Sequence, residues 1–247
     1  MQAVLVTTTF ASSLDDPRFL QAIATCTEAW LENLPIICVD GSPEAMAEQV
    51  RDRLRVSGAS VFPQQEPGMG PSRRETFYHG LETDAEVIVW LEPEKYTVVH
   101  LLEPCIELVA NGSYDILIPR RENLDSYPDY QHWSELRANW EFANITGAYN
   151  LDLMSGLRVL NRRAAKLFAS YVGETPARDQ WEIIFIPVLQ ALRCGMKVGS
   201  YTVPYVHPPE QTARESGDAA MDRKRDEQRV NLVAAMREES LRLYVTL

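Results

Sequence analysis

Ala85-Glu86-Val87-Ile88-Val89-Trp90-Leu91-Glu92-Pro93-Glu94-Lys95 is the stretch that decides the fold. An apolar run of strand length stops abruptly at two carboxylates that straddle a proline. In an open α/β sheet, ligands collect outside the carboxyl ends of the strands. Pro93 fixes φ and keeps the segment out of the sheet, so both glutamates can face such a crevice. Two carboxylates there suit a hard cation such as Mg²⁺ or Mn²⁺, which in turn could neutralise a diphosphate. The plain alternative is an acidic turn ahead of a helix expected from residue 97, where carboxylates suit the helix dipole.

Outward from this strand, strand-like and helix-like segments alternate, the signature of a largely parallel sheet covered by helices. Strands are expected at 3–8, 35–39, 59–62, 85–91, 114–119, 157–160 and 197–203. Helices are expected from Asp15 to Asn33 and over 44–57, 72–81, 97–110, 133–145, 162–172 and 179–193. Residues 120–132 read as a charged, aromatic loop. A helical pattern at 218–244 places Met221, Val230, Val233, Leu241 and Tyr244 among many charges, so the tail is expected to pack on the core or on a second copy. No internal repeat or low-complexity stretch interrupts the pattern.

The chain has 247 residues, 45% hydrophobic and 24% charged, an ordinary globular balance with ample length for a core. Its formal net charge of −11 disfavours non-specific attraction to nucleic acid or anionic lipid. A phosphate-bearing substrate therefore needs a local basic pocket. Cys26, Cys38, Cys105 and Cys194 form no CxxC pair, and Cys26, Cys38 and Cys194 fall in segments that read as buried. A reducing, cytoplasmic compartment is expected. No signal peptide is expected, and no apolar run nears the ~18 residues of a membrane span.

Four constellations sit where strands end. Asp40-Gly41-Ser42 follows the second strand; its carboxylate can accept from a base or ribose, or it can simply form an Asx turn. Gly68-Met69-Gly70-Pro71-Ser72-Arg73-Arg74 joins a flexible loop, a helix N-terminus and two guanidiniums, a phosphate-binding combination or a solvated arginine pair. It is neither a P-loop nor a Rossmann fingerprint. Glu92 and Glu94 are the third. The fourth runs from Asp152 to Ala164, with Asp179 and Glu182 downstream as acids able to serve as general base or as helix caps. His207, just past the last strand, could complete a metal shell or be an ordinary loop residue.

In order and spacing these segments resemble GT-A glycosyltransferases of the family-2, dolichol-phosphate-mannose-synthase-like kind, over about residues 3–207. Asp152-x-x-Ser155-Gly156-Leu157-Arg158-Val159-x-x-Arg162-Arg163-Ala164 resembles the family's D-x-x-SGFR-x-x-x-RRA segment, with Leu157 for Phe. Val39-Asp40-Gly41-Ser42 resembles a VDDGS turn shortened by one Asp. Residues 68–74 resemble N-x-G-x-x-x-ARN-x-G without the trailing asparagine, and Ile118-Pro119-Arg120-Arg121 resembles a GSR segment. Glu92-Pro93-Glu94 stands where the family carries Asp-x-Asp.

The resemblance implies an α/β fold of the GT-A, Rossmann-like nucleotide-diphospho-sugar transferase type, a mostly parallel sheet flanked by helices with a C-terminal helix. It implies one domain over residues 1–210, with 1–119 expected to hold the nucleotide sugar and 120–210 the acceptor, followed by an amphipathic tail at 211–247. It implies a sugar-nucleotide donor bound by Thr8, Asp40, Ser42, Gly68, Arg73, Arg74 and Arg120. Mg²⁺ or Mn²⁺ would sit on Glu92, Glu94 and His207. Asp179 would be the base, with Glu182 in reserve and Asp152 beside the acceptor. The expected function is transfer of a sugar to a small-molecule or glycan hydroxyl, by inversion, or by retention if the mannosylglycerate-synthase-like branch is the kin. The alternative is a GT-A-shaped binding or regulatory protein whose metal motif is impaired. A nucleotidyltransferase would need a GT-x-x-x-P loop that Thr7-Thr8-Thr9-Phe10-Ala11 does not supply. No nucleic-acid partner is expected, and the tail could support a homodimer.

Overall fold

The computed structural model describes residues 3–175 and 179–245, with side chains to residue 242. Seven strands form one sheet: β1 (Ala3–Thr9), β2 (Ile36–Asp40), β3 (Ala59–Pro63), β4 (Val87–Trp90), β5 (Ile116–Arg121), β6 (Arg158–Asn161) and β7 (Val198–Val203). Their spatial order is β3-β2-β1-β4-β6-β5-β7. All neighbours are parallel except β6, which runs antiparallel to both β4 and β5. Strand order reverses at β1, which pairs with β2 on one side and β4 on the other. A crevice therefore opens at the carboxyl ends of these three strands.

Nine helices cover the sheet among the described residues: α1 (Pro17–Leu31), α2 (Glu44–Val56), α3 (Met69–Glu82), α4 (Glu103–Ala110), α5 (Asp129–Thr146), α6 (Arg162–Ser170), α7 (Ile186–Arg193), α8 (Pro209–Glu215) and α9 (Ala219–Val245). Every residue of β2 and β4 is buried, as strands covered on both faces require. The strand period of two divides these apolar runs between two cores. Val4, Val6, Ile88 and Trp90 meet Phe77, Phe142, Phe168, Leu189 and Met236 from α3, α5, α6, α7 and α9. Ala3, Leu5, Val87 and Val89 meet Phe19, Cys26, Leu54 and Ile106 from α1, α2 and α4 on the other face.

Where the structure departs from the sequence reading, proline and glycine account for most of it. The segment 97–110 divides into a 3₁₀ turn (Tyr96–Leu101) and α4, with Pro104 in the first turn of α4. The 179–193 segment likewise becomes a 3₁₀ turn (Glu182–Ile184) and α7, with Pro187 near its start. α5 begins at Asp129, straight after Pro128, so the expected loop is shorter. The tail reading omitted α8, which stops ahead of Gly217 at φ +77°. The α9 helix packs on the core through Leu232, Val233, Ala235 and Met236; the side chain of Tyr244 lies outside the described residues. Cys194, expected to be buried, is exposed at the end of α7, whereas Cys26, Cys38 and Cys105 are buried and free. Among the described residues no helix is long and apolar enough to cross a membrane.

The segment most like the glycosyltransferase motif is held by backbone contacts. Arg158, fully buried, donates to the carbonyls of Leu153, Leu157 and Ile184 at 2.7–2.9 Å. Arg162 donates to the carbonyls of Leu81, Thr83 and Ala85, closing the end of α3 onto the start of β4. Asn161 caps α6 through the Ala164 N–H at 2.8 Å.

Candidate active site

The crevice is a cleft of about 750 Å³ lined by residues from the ends of β1, β2 and β4 and the start of α3. At its base the β2 turn is tightly bonded. Asp40, 2% exposed, accepts from Thr9 Oγ1 at 3.1 Å, from the Ser42 hydroxyl at 2.6 Å and from Arg51 Nε at 3.3 Å. Ser42 Oγ in turn accepts the Ala11 N–H at 2.9 Å. The carboxylate thus shapes the turn around Thr8, Gly41 and Ser42, all of which line the cleft.

Opposite lies the N-terminus of α3. Gly68 takes φ +121°, open to glycine and costly for other residues, and turns the chain into the helix. Gly70 has no room for a Cβ, which would lie 2.4 Å from Asp179. Arg73 is buried and points back at the cleft wall. Its Nη1 donates to Gln180 O at 2.9 Å, and its guanidinium lies 4.2 Å from the Trp181 ring and 5.6 Å from the Trp90 ring. Burial pulls its pKa down to about 10 against the pull of Glu92, Glu94 and Glu182, so it stays cationic at neutral pH. Arg73 Nε and the indole N–H groups of Trp90 and Trp181 find no acceptor among the described residues.

Glu92-Pro93-Glu94-Lys95 is a β-turn, closed by the Lys95 N–H on Glu92 O at 3.1 Å, with proline at its favoured second position. Thr25 of α1 pins it through Pro93 O at 2.6 Å. Both glutamates line the cleft. Glu92 pairs with Lys95 at 3.1 Å and lies against Gly156, where a Cβ would approach its carboxylate to 2.7 Å. Glu94 holds no ion pair among the described residues; burial, and then the charge of Glu92, raise its pKa.

The structure thus brings Thr8, Asp40, Ser42, Gly68, Arg73, Glu92 and Glu94 to one cleft and sets the other expected residues apart from its lining. Arg74 grips Asp179 with two bonds, at 2.5 and 2.8 Å, and Asp179 also accepts the Gly173 N–H. Glu182 is buried and accepts the Gln180 N–H at 3.2 Å. Asp152 binds Arg121 with both oxygens, at 2.7 and 2.8 Å, and Asn139 at 2.8 Å. Arg120 is exposed on β5. His207 is buried behind Tyr127, with its ring 4.2 Å from the tyrosine's. The Thr212 hydroxyl donates to Ser126 O at 2.6 Å, so His207 Nδ1 must donate to Thr212, leaving Nε2 without a proton. Burial, with Lys95, Arg225, Arg121 and Arg214 nearby, lowers its pKa to about 3. Among the described residues no three His, Cys, Asp or Glu side chains converge as a cation site, so Glu92, Glu94 and His207 are not assembled as one.

Several cleft residues escaped the sequence reading. Phe10 and Arg18 are exposed at the rim, and Arg51, Trp90 and Trp181 contribute to the walls. Phe10 directly follows the β1 threonines and Arg18 opens α1 after Pro17, so strand-end and helix-start positions were the available signal. Trp90 read as core and is core; its cleft edge has no sequence signature.

No protein-family model and no curated protein sequence matches the chain. Solved structures do. Glucosyl-3-phosphoglycerate synthase from Mycobacterium tuberculosis, in complex with Mn²⁺, uridine diphosphate and phosphoglyceric acid, is similar over 97% of this chain and 78% of its own, with TM-score 0.58 and 14% identity. A mycobacterial protein is similar over 95% of this chain and 74% of its own, with TM-score 0.63 and 12% identity. The Rv0371c protein of Mycobacterium tuberculosis is similar over 91% and 96%, with TM-score 0.51 and 16% identity. At such identities the likeness is one of fold. That fold is the GT-A type: a seven-stranded, mostly parallel sheet flanked by helices, with a helix at the C-terminal end.

Proposed function

We propose that this chain is a glycosyltransferase that moves a sugar from a nucleoside diphosphate donor to an acceptor hydroxyl. One observation carries the reading: in a chain of net charge −11, a cleft at the strand switch point holds two glutamates facing a buried guanidinium. The glucosyl-3-phosphoglycerate synthase neighbours, with UDP-glucose, Mn²⁺ and phosphoglyceric acid bound, support it.

The donor set fits a hard divalent cation. Two carboxylates line one wall, with burial and then the Glu92 charge raising the Glu94 pKa, and Mg²⁺ or Mn²⁺ commonly takes one or two carboxylates and completes its shell with phosphate oxygens. We assign Glu92 and Glu94 to that cation, which when bound would neutralise charge on the departing diphosphate. Arg73 lines the same cleft, and a cationic donor fixed in advance stabilises charge in the transition state most effectively. Thr8, Ser42 and the turn that Asp40 shapes would hold the nucleoside, with Phe10 at the rim. The acceptor oxygen bonds to the anomeric carbon as the carbon–diphosphate bond breaks, and the hydroxyl proton passes to a phosphate oxygen of the departing diphosphate or to water. Asp179 and Asp152, each bound twice by an arginine, suit positioning better than proton transfer.

UDP- and GDP-sugars with Mn²⁺ should raise the melting temperature and release free nucleotide. Glu94→Gln should cut turnover about 100-fold or more while leaving the unliganded protein as stable as wild type or more so. A melting curve that no nucleotide sugar moves, with or without Mn²⁺, would sink the reading.

A further inference from the structure

The residue that closes the glutamate turn is itself a cation. Lys95 is 6% exposed, and its ammonium lies 3.1 Å from Glu92 Oε2 and 5.5 Å from the centre of the Tyr205 ring. The two glutamates of the turn are therefore unequal. Glu92 is held between an ammonium and Gly156, whereas Glu94 has no ion pair among the described residues. The Lys95 side chain is absent from the cleft lining, so it reaches Glu92 from the protein side and leaves the cleft face of the turn to a ligand.

A lysine ammonium is a compact point charge with rotatable donors, able to release one carboxylate oxygen without rearranging a fork of bonds as arginine must. We propose that Lys95 is a positioning residue for the divalent cation, holding Glu92 ready in the free protein and competing with the metal for its carboxylate. This rests on the cation site proposed above. It makes the empty site tolerable to the fold, and it sets the metal affinity low until a diphosphate adds its oxygens.

Mn²⁺ binding to the nucleotide-free protein, read from loss of the free-ion EPR signal, tests it. Lys95→Met should bind Mn²⁺ about tenfold more tightly than wild type, the scale on which one charge at this range shifts another group's ionisation. Lys95→Arg, with the charge kept, should bind no more tightly than wild type. Should the methionine variant fail to fold, Lys95→Gln removes the charge while retaining a donor to Glu92, and the same tightening is expected. Unchanged or weaker Mn²⁺ binding in the neutral variants, with wild-type binding intact, overturns the role of Lys95 and spares the cation site. A wild-type protein that binds no Mn²⁺ even with UDP present overturns both.

Discussion

The two halves of the sheet's carboxyl edge treat charge in opposite ways. Beyond β1, β2 and β4 the cleft keeps Glu94 and Arg73 without an ion pair among the described residues, and burial and Glu92 raise the Glu94 pKa. Beyond β5 and β7 the buried carboxylates are closed on cations: Arg121 binds Asp152 and Glu135, Asn139 supports Asp152, and Arg225 pairs with Glu215, although Arg225 Nη1 finds no acceptor among the described residues. Mutually paired buried charges belong to the fold, whereas carboxylates that repel one another at a cleft are the pattern of a binding site. The largest test of that contrast is Arg121→Met. It strands two buried carboxylates and should lower unfolding free energy by about 3–5 kcal/mol in chemical denaturation. Glu94→Gln, on the other side, should not destabilise at all. Equal effects of the two substitutions would erase the distinction.

Asp179 tests the boundary between the halves, because it stands by the donor cleft yet is paired like a residue of the other side. Its bonds to Arg74 and the close approach of Gly70 fix the backbone that presents Gln180 and Trp181 to Arg73. Asp179→Asn keeps the shape and removes the charge. Stability should fall by about 2 kcal/mol, within the range for hydrogen bonds to charged groups. The donor KM should rise as Trp181 loosens, with kcat changed less than about tenfold. A fall in kcat of about 10²–10⁴ with KM unchanged would instead mark a general base.

How far the sequence carried these assignments differs between backbone and side chains. The central strands β1, β2 and β4 were legible because parallel strands covered on both faces are nearly all apolar, and their ends pointed to the cleft. The Ser155-Gly156-Leu157-Arg158 and Arg162 pattern was legible as a motif, but its arginines bind carbonyls across the fold, and no local spacing announces that. Nor could the sequence show that Arg74 would meet Asp179, 105 residues away, or that Lys95 would turn back onto Glu92. Such pairings depend on tertiary approach, so an acidic residue in the right order along the chain can be either a free base or half of an ion pair.

His207 gives an effect of similar size, read through pH. Its pKa falls from 6.5 to about 3 in the folded protein, so it is neutral there while the unfolded chain takes up a proton near pH 6.5. The unfolded state therefore binds more protons below that value, and stability is complete above pH 6.5 and drains away as pH drops toward 3. Between pH 7 and 5 this single group should remove about 2 kcal/mol. Stability curves of wild type and His207→Gln should accordingly converge as the pH falls, the variant being the flatter of the two. His207 is enclosed by Ser126, Tyr127 and Thr212, and Lys95 of the glutamate turn is among the charges that lower its pKa. Parallel curves would mean that the imidazole takes its proton inside the fold. In that case the second half of the sheet edge would hold a titratable group in reserve, as the first half does.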